Sequence, residues 1–142
     1  MPLRPPAYES LRAMSIHVVL CDDETQTARM ISWRLMRAGF EVHTAHDGEA
    51  AWDITRRVHP DLLITDLQFP GIELVCRVRG TPETAQVPII LLTSTELTPE
   101  MQQRMRHELS LSAILPKPCS LRDLVRVAYQ ATQQRVEPLC TA

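Results

Sequence analysis

Ile16-His17-Val18-Val19-Leu20-Cys21-Asp22-Asp23-Glu24 is a nearly unbroken apolar run that stops abruptly on three acids. A strand covered on both faces reads this way, whereas a strand with one wet face alternates. The pattern returns twice, as Leu62-Leu63-Ile64-Thr65 before Asp66 and as Pro88-Ile89-Ile90-Leu91-Leu92 before Thr93. Between these runs the period changes to that of a helix. Residues 25–38 place Ala28, Ile31, Leu35 and Ala38 on one face, and Gly39 follows where a helix-ending glycine belongs. Residues 40–44 alternate like a strand. Asp47 then opens a helix over 48–58 with Ala51, Ile54 and Val58 inward.

The second half repeats the scheme. Pro70 starts a short helix to about Arg79. Thr98-Pro99-Glu100 supplies an N-cap and a first-turn proline for a helix to about His107. Residues 112–115 form a last short strand, and Ser120-Leu121-Arg122-Asp123 resembles a capping box leading a helix to about Gln133. Five βα units in succession predict an α/β fold, a doubly wound parallel sheet with helices on both faces.

The 142 residues suffice for one domain, expected over 15–133, between a loose arm over 1–14 and a frayed tail over 134–142; translation could start at Met1 or Met14. A net charge of −2 gives no electrostatic footprint for nucleic acid or an anionic membrane. No apolar run approaches the ~20 residues of a membrane span, and no signal peptide is apparent. Cys21, Cys76, Cys119 and Cys140 have neither metal-site nor disulfide-framework spacing, so a reducing cytoplasm is expected. Fourteen of fifteen basic residues are Arg; Lys117 is the only lysine. Against that bias Lys117 is a candidate for work suited to a compact ammonium rather than a planar guanidinium.

In such sheets function gathers at the carboxyl ends of the strands. There the sequence places Asp22, Asp23 and Glu24, then Asp66, Thr93 with Ser94, and Lys117. Clustered carboxylates repel unless a cation sits among them, and Mg²⁺ takes carboxylate oxygens and water. Such a set suits phosphoryl transfer, with Asp66 as nucleophile, Asp22 and Asp23 holding the metal, and a hydroxyl and Lys117 meeting the phosphoryl oxygens.

Val18-Val19-Leu20-Cys21-Asp22-Asp23-Glu24, Pro60-Asp61-Leu62-Leu63-Ile64-Thr65-Asp66-Leu67, Pro88-Ile89-Ile90-Leu91-Leu92-Thr93-Ser94 and Leu115-Pro116-Lys117-Pro118 resemble, in order, the four signature segments of response-regulator receiver domains. Ala45-His46-Asp47-Gly48-Glu49-Ala50-Ala51 is similar to that family's entry to its second helix. The resemblance covers about residues 15–132. It implies a five-stranded, flavodoxin-like sheet in the order 2-1-3-4-5, and a bacterial two-component role. Asp66 would accept phosphate from a histidine kinase or phosphotransfer protein. Mg²⁺ would be held by Asp22, Asp23, Asp66 and the Gln68 carbonyl, with Asp23 the direct ligand. Thr93 would be the switch hydroxyl, and Lys117 the phosphate partner before a cis Pro118. Output would be the binding of a downstream protein to the face of the fourth helix, fifth strand and fifth helix. No enzymatic activity is implied beyond Mg²⁺-dependent self-phosphorylation and autodephosphorylation.

The chain departs from the family pattern after Asp66. Asp66-Leu67-Gln68-Phe69-Pro70-Gly71-Ile72-Glu73-Leu74 is about three residues short, so the next helix must begin closer to the acceptor. Ile114 stands where the family often has an aromatic switch and reads as ordinary core; Ser110 replaces a usual Gly, and Pro116 suits an edge strand. His43 and His46 read as surface imidazoles, His17 as part of a buried strand, and Trp33 and Trp52 as helix-face packing. Cys21 and Cys119 are expected near the site without a redox role. Two rivals remain open. One is a degenerate receiver, binding protein without phosphate. The other is an aspartyl phosphatase of the haloacid-dehalogenase type, opposed because Asp22-Asp23-Glu24-Thr25 lacks the second Asp of D-x-D-x-[TV] and no cap domain is present.

Overall fold

The structure, a computed structural model, describes residues 15–68 and 71–141, with side chains as far as Gln133. The arm expected over 1–14 lies outside the described residues. The order of elements is β1 Ile16–Cys21, α1 Thr25–Arg37, β2 Phe40–Ala45, α2 Gly48–Val58, β3 Leu62–Asp66, α3 Gly71–Arg79, β4 Ile89–Thr93, α4 Pro99–Glu108, β5 Ala113–Pro116 and α5 Leu121–Thr141. All four strand pairings are parallel, in the order β2-β1-β3-β4-β5. The alternating order and the implied topology both hold.

Alternation along the strands builds two cores. Val18, Leu20, Leu62, Ile64, Ile90 and Leu92 pack against Ala28, Ile31 and Leu35 of α1 and Leu124 and Ala128 of α5. Val19, Cys21, Leu63, Ile89 and Leu91 face α2 and α3 through Ala51, Trp52, Leu74, Val75 and Val78. Each large aliphatic side chain buried this way contributes about 1.5–3 kcal/mol, which fixes the helices to the sheet. Helix α4 is the exception, because none of its residues is buried. It is held by the Thr98 cap, whose Oγ1 accepts from Met101 N at 3.1 Å, and by Arg79 on α3. That guanidinium donates to the carbonyls of Leu109 (2.9 Å), Ser110 (3.0 Å) and Ala85 (2.9 Å), tying the end of α4 to two loops.

Several local expectations hold. Asp47 caps α2 by accepting from Ala50 N at 2.8 Å, and Gly39 takes a φ of 104° after α1. Ser110, in a glycine's usual place, has a φ of 52°. Pro116 ends edge strand β5, opposite Thr93. Ile114 is partly buried against the second core.

Others need correction. Ser120 does accept from Asp123 N, at 3.3 Å, but the Asp123 carboxylate accepts from Arg126 and the box is half made. On α2 the buried set is Ala51, Trp52 and Thr55, so the inward stripe is rotated from the one expected. Trp52 packs in the core, but Trp33 is 61% exposed between exposed Met30 and Met36, with the Arg37 guanidinium 5.0 Å from its ring centroid. It sits two positions past Ile31, almost opposite the buried face. Helix α5 passes the expected stop near Gln133 and runs to Thr141.

Candidate functional site

The strand order reverses between β1 and β3, and a crevice at the carboxyl ends of the strands opens beside that switch point. β1 delivers Asp22 and Asp23 to it, β3 delivers Asp66, β4 delivers Thr93, and the turn after β5 delivers Lys117. Asp23, Asp66, Gln68, Ser94 and Lys117 line the resulting cleft.

Lys117 is its hub. Its Nζ donates to Asp66 Oδ2 at 2.9 Å, Asp22 Oδ2 at 3.0 Å and Glu24 Oε1 at 3.3 Å. The chain reaches this position through a cis Lys117–Pro118 bond, as the resemblance implied, and through Lys117 N donating to the Thr93 carbonyl at 2.8 Å. Burial alone pulls the ammonium down, but the hydrogen bonds and charges of Asp66 and Asp22 outweigh it and hold it above the ordinary lysine range. The stability this charge contributes is therefore whole up to the usual lysine pKa of about 10.4 and is lost as pH climbs beyond it.

Asp22 is 1% exposed and also orders the backbone, since its Oδ1 accepts from Glu24 N at 2.9 Å and fixes the turn into α1. Asp23, next in sequence, is exposed. Asp66 Oδ1 accepts from Gln68 N at 3.1 Å, so both carboxylate oxygens are oriented. One oxygen each of Asp22, Asp23 and Asp66 lie within 4.8 Å of one another. Octahedral Mg²⁺ separates its ligand oxygens by roughly 2.9 to 4.2 Å, given Mg–O distances of about 2.0–2.1 Å. Three hard carboxylate oxygens within 4.8 Å of one another need only close in slightly to meet such an ion.

The other expected residues are placed as follows. Gln68 lies beside Asp66, but its carbonyl accepts from Gly71 N at 2.7 Å and closes the short turn into α3; its side-chain amide donates to Thr95 Oγ1 at 3.1 Å. The Thr93 hydroxyl is turned into its own loop, accepting from Thr95 N at 2.9 Å and donating to the Thr95 carbonyl at 3.3 Å. Gly71 explains how the loop can be short. A Cβ there would stand 1.7 Å from the Asp66 carbonyl oxygen, so α3 starts against the backbone of β3 and only glycine fits. Sequence length alone showed the truncation, but not that close approach.

Cys21 lies at the end of β1, buried. Burial pushes its thiol up to about 11, against a hydrogen bond from Thr65 that lowers it; the Asp22, Asp47 and Asp23 charges add to the rise. A thiol reagent at neutral pH should therefore modify exposed Cys76 and spare Cys21 until the protein unfolds. Peptide mapping after brief alkylation checks this, and equal labelling of the two would contradict it. His46 Nδ1 donates to the Asp22 carbonyl at 3.1 Å, so its place beside β1 is structural.

The site geometry and the topology agree with what a comparison of the sequence with known families returns. The response regulator receiver domain model matches residues 18–129. The chain belongs to this family. Among solved structures, the chemotaxis response regulator CheY4 of Vibrio cholerae is 30% identical with a TM-score of 0.75, over 82% of this chain and 98% of that one. A putative response regulator from Chloroflexus aurantiacus is also 30% identical, with a TM-score of 0.75 over 84% and 98% of the two chains. The signal receiver domain of a putative Luxo repressor protein from Vibrio parahaemolyticus, 17% identical with a TM-score of 0.79 over 90% and 98%, shares the fold. Receiver domains in general bind Mg²⁺ through acidic residues and interact with histidine kinases and downstream effectors, and this chain has an acidic cluster of that kind. Among its described residues no helix is long and apolar enough to cross a membrane.

Proposed function

We propose that this receiver accepts a phosphoryl group on Asp66 from a histidine kinase or phosphotransfer protein in the bacterial cytoplasm. The observation that carries the reading is the Asp66 carboxylate held at 2.9 Å by the chain's only lysine, with two more carboxylates close enough to share a cation. An Asp66 oxygen forms the new O–P bond as the P–N bond to the donor histidine breaks, and the electron pair leaves with the imidazole nitrogen. Asp22, Asp23 and Asp66 would hold Mg²⁺, with the second lone pair of the Gln68 carbonyl as a further donor; when bound, the ion neutralises charge on the phosphoryl oxygens. Lys117 exchanges its Asp66 contact for a phosphoryl oxygen. Thr93 leaves Thr95 to donate to another, and the β4–α4 loop follows.

The fold supplies a reason for output at α4, β5 and α5. Helix α4 buries no residue, so moving it disturbs little core, while Lys117 N bonded to the Thr93 carbonyl links β5 to the loop that moves. A downstream protein would bind the altered face. Acting by such binding, the chain needs no catalytic activity beyond phosphorylating and dephosphorylating itself.

NMR titration with beryllofluoride and Mg²⁺, a phosphoryl mimic, tests this. Wild type should show shifts at Asp66, Thr93 and Ile114. Lys117→Arg keeps the charge but offers a wider fixed fork in a pocket already filled by three carboxylates. It should bind the mimic with clearly smaller shifts at Thr93 and Ile114. Wild-type shifts in Lys117→Arg would remove Lys117 from the coupling, and no shifts in wild type would remove the proposal.

A further inference from the structure

A second set of metal-ligating side chains sits away from the acidic cleft. His17 and Glu41 are register partners on β1 and β2, and His43 lies two residues further along β2, opposite Val19. Side chains two apart on a strand share a face, so all three stand together on the sheet edge that β2 forms. His17 Nδ1 is 3.2 Å from His43 Nε2 and 3.6 Å from Glu41 Oε2. Asp22 follows His17 by five residues, which puts the cluster roughly 16 Å along the strand from the acidic cleft.

We propose that His17, Glu41 and His43 bind a borderline divalent metal ion, with Zn²⁺ the best match. Two imidazole nitrogens and one carboxylate suit zinc and its neighbours, whereas Mg²⁺ is served by oxygen. Tetrahedral zinc with bonds of about 2.0–2.1 Å separates its ligand atoms by about 3.3–3.4 Å, and the observed 3.2 and 3.6 Å bracket that value. The imidazole planes lie 14° from parallel with centroids 5.4 Å apart, so the two facing nitrogens are presented edge to edge.

The site is built on strands rather than loops. His17 is further fixed through its backbone, its N–H donating to Asp61 Oδ2 at 2.9 Å and its carbonyl accepting from Asp61 N at 2.8 Å. The side chains of His17 and Glu41 are 32% and 53% exposed, which leaves a way in for the ion and a fourth position for water. Without metal the neutral imidazoles share one N–H···N hydrogen bond. With metal, His17 must carry its proton on Nε2 and His43 on Nδ1, so binding changes at most one tautomer and releases no proton from a neutral pair. The bound ion ties edge strand β2 to β1.

The experiment is a Zn²⁺ titration of the full chain in excess Mg²⁺, which fills the acidic cleft, followed by ring ¹⁵N NMR of the histidines. The ring nitrogens of His17 and His43 should shift and saturate at one equivalent, while His59 and His107 stay put. His43→Gln should lose this binding, and Glu41→Gln should weaken it by at least about tenfold, both with unchanged folding in the absence of zinc. Unmoved His17 and His43 resonances, shifts spread evenly over all histidines, or wild-type affinity in His43→Gln would overturn the site. Phosphoryl uptake by Asp66 is unaffected by any of these outcomes.

Discussion

Asp66→Asn should take up no phosphoryl group from a small phosphodonor in Mg²⁺, while folding and melting close to wild type. The substitution keeps the size of the side chain and leaves an amide oxygen that can still accept from Gln68 N or from Lys117. What it removes is the proposed anionic nucleophile and one of three carboxylates that could share a cation, and an amide supplies neither. Lys117 retains Asp22 and Glu24, so the ammonium is not left unpaired in a part-buried place. Intact-mass spectrometry with a thermal melt separates the two effects. Uptake by Asp66→Asn at the wild-type rate would mean the acceptor lies elsewhere.

Gly71→Ala should be the most damaging single-methyl change in the molecule. Its Cβ would stand 1.7 Å from the Asp66 carbonyl oxygen and 2.7 Å from the carbonyl carbon, and both are backbone that no rotamer change can clear. Either α3 must pull away from β3, opening the packing of Leu74, Val75 and Val78, or the end of β3 must shift. Overpacking of this kind costs roughly 2–3 kcal/mol, equivalent to a melting point lower by roughly 5–10 °C in a domain of this length. Because the clash is with the backbone of Asp66, the proposed acceptor, phosphoryl uptake should slow as well. A wild-type melt together with a wild-type rate would show that the short loop has slack.

The layout of the sheet was legible because its three central strands are apolar on both faces and end on polar residues. Periodicity also placed Ala28, Ile31 and Leu35 inward on α1. The reading of Trp33 as helix-face packing came from residue type; its helical angle from Ile31 points it away from the buried face, and it is exposed. The strand ends brought Asp22, Asp23, Asp66 and Lys117 to one edge, where Lys117 contacts Asp22 and Asp66 and an oxygen of Asp23 lies within 4.8 Å of theirs. The turn of Thr93 into its own loop and the engagement of the Gln68 carbonyl by Gly71 depend on loop geometry, which spacing does not carry. The imidazole pair was missed for a simpler reason. His17 and His43 are 26 residues apart, and the parallel register of β1 and β2 had to be known before they could be set side by side. The His17 side chain is 32% exposed rather than buried, on a strand that pairs with edge strand β2.

Phosphoryl acceptance at Asp66 with a divalent cation is tested most directly on the wild-type protein. It is incubated with acetyl phosphate in Mg²⁺ and, in parallel, in EDTA, followed by intact mass and mapping of the modified peptide. The expected result is a gain of one phosphoryl group in Mg²⁺, none in EDTA, and the label on the peptide that contains Asp66. No uptake in Mg²⁺, or a label found on a histidine, would contradict it and leave a receiver fold that binds its partners without phosphate.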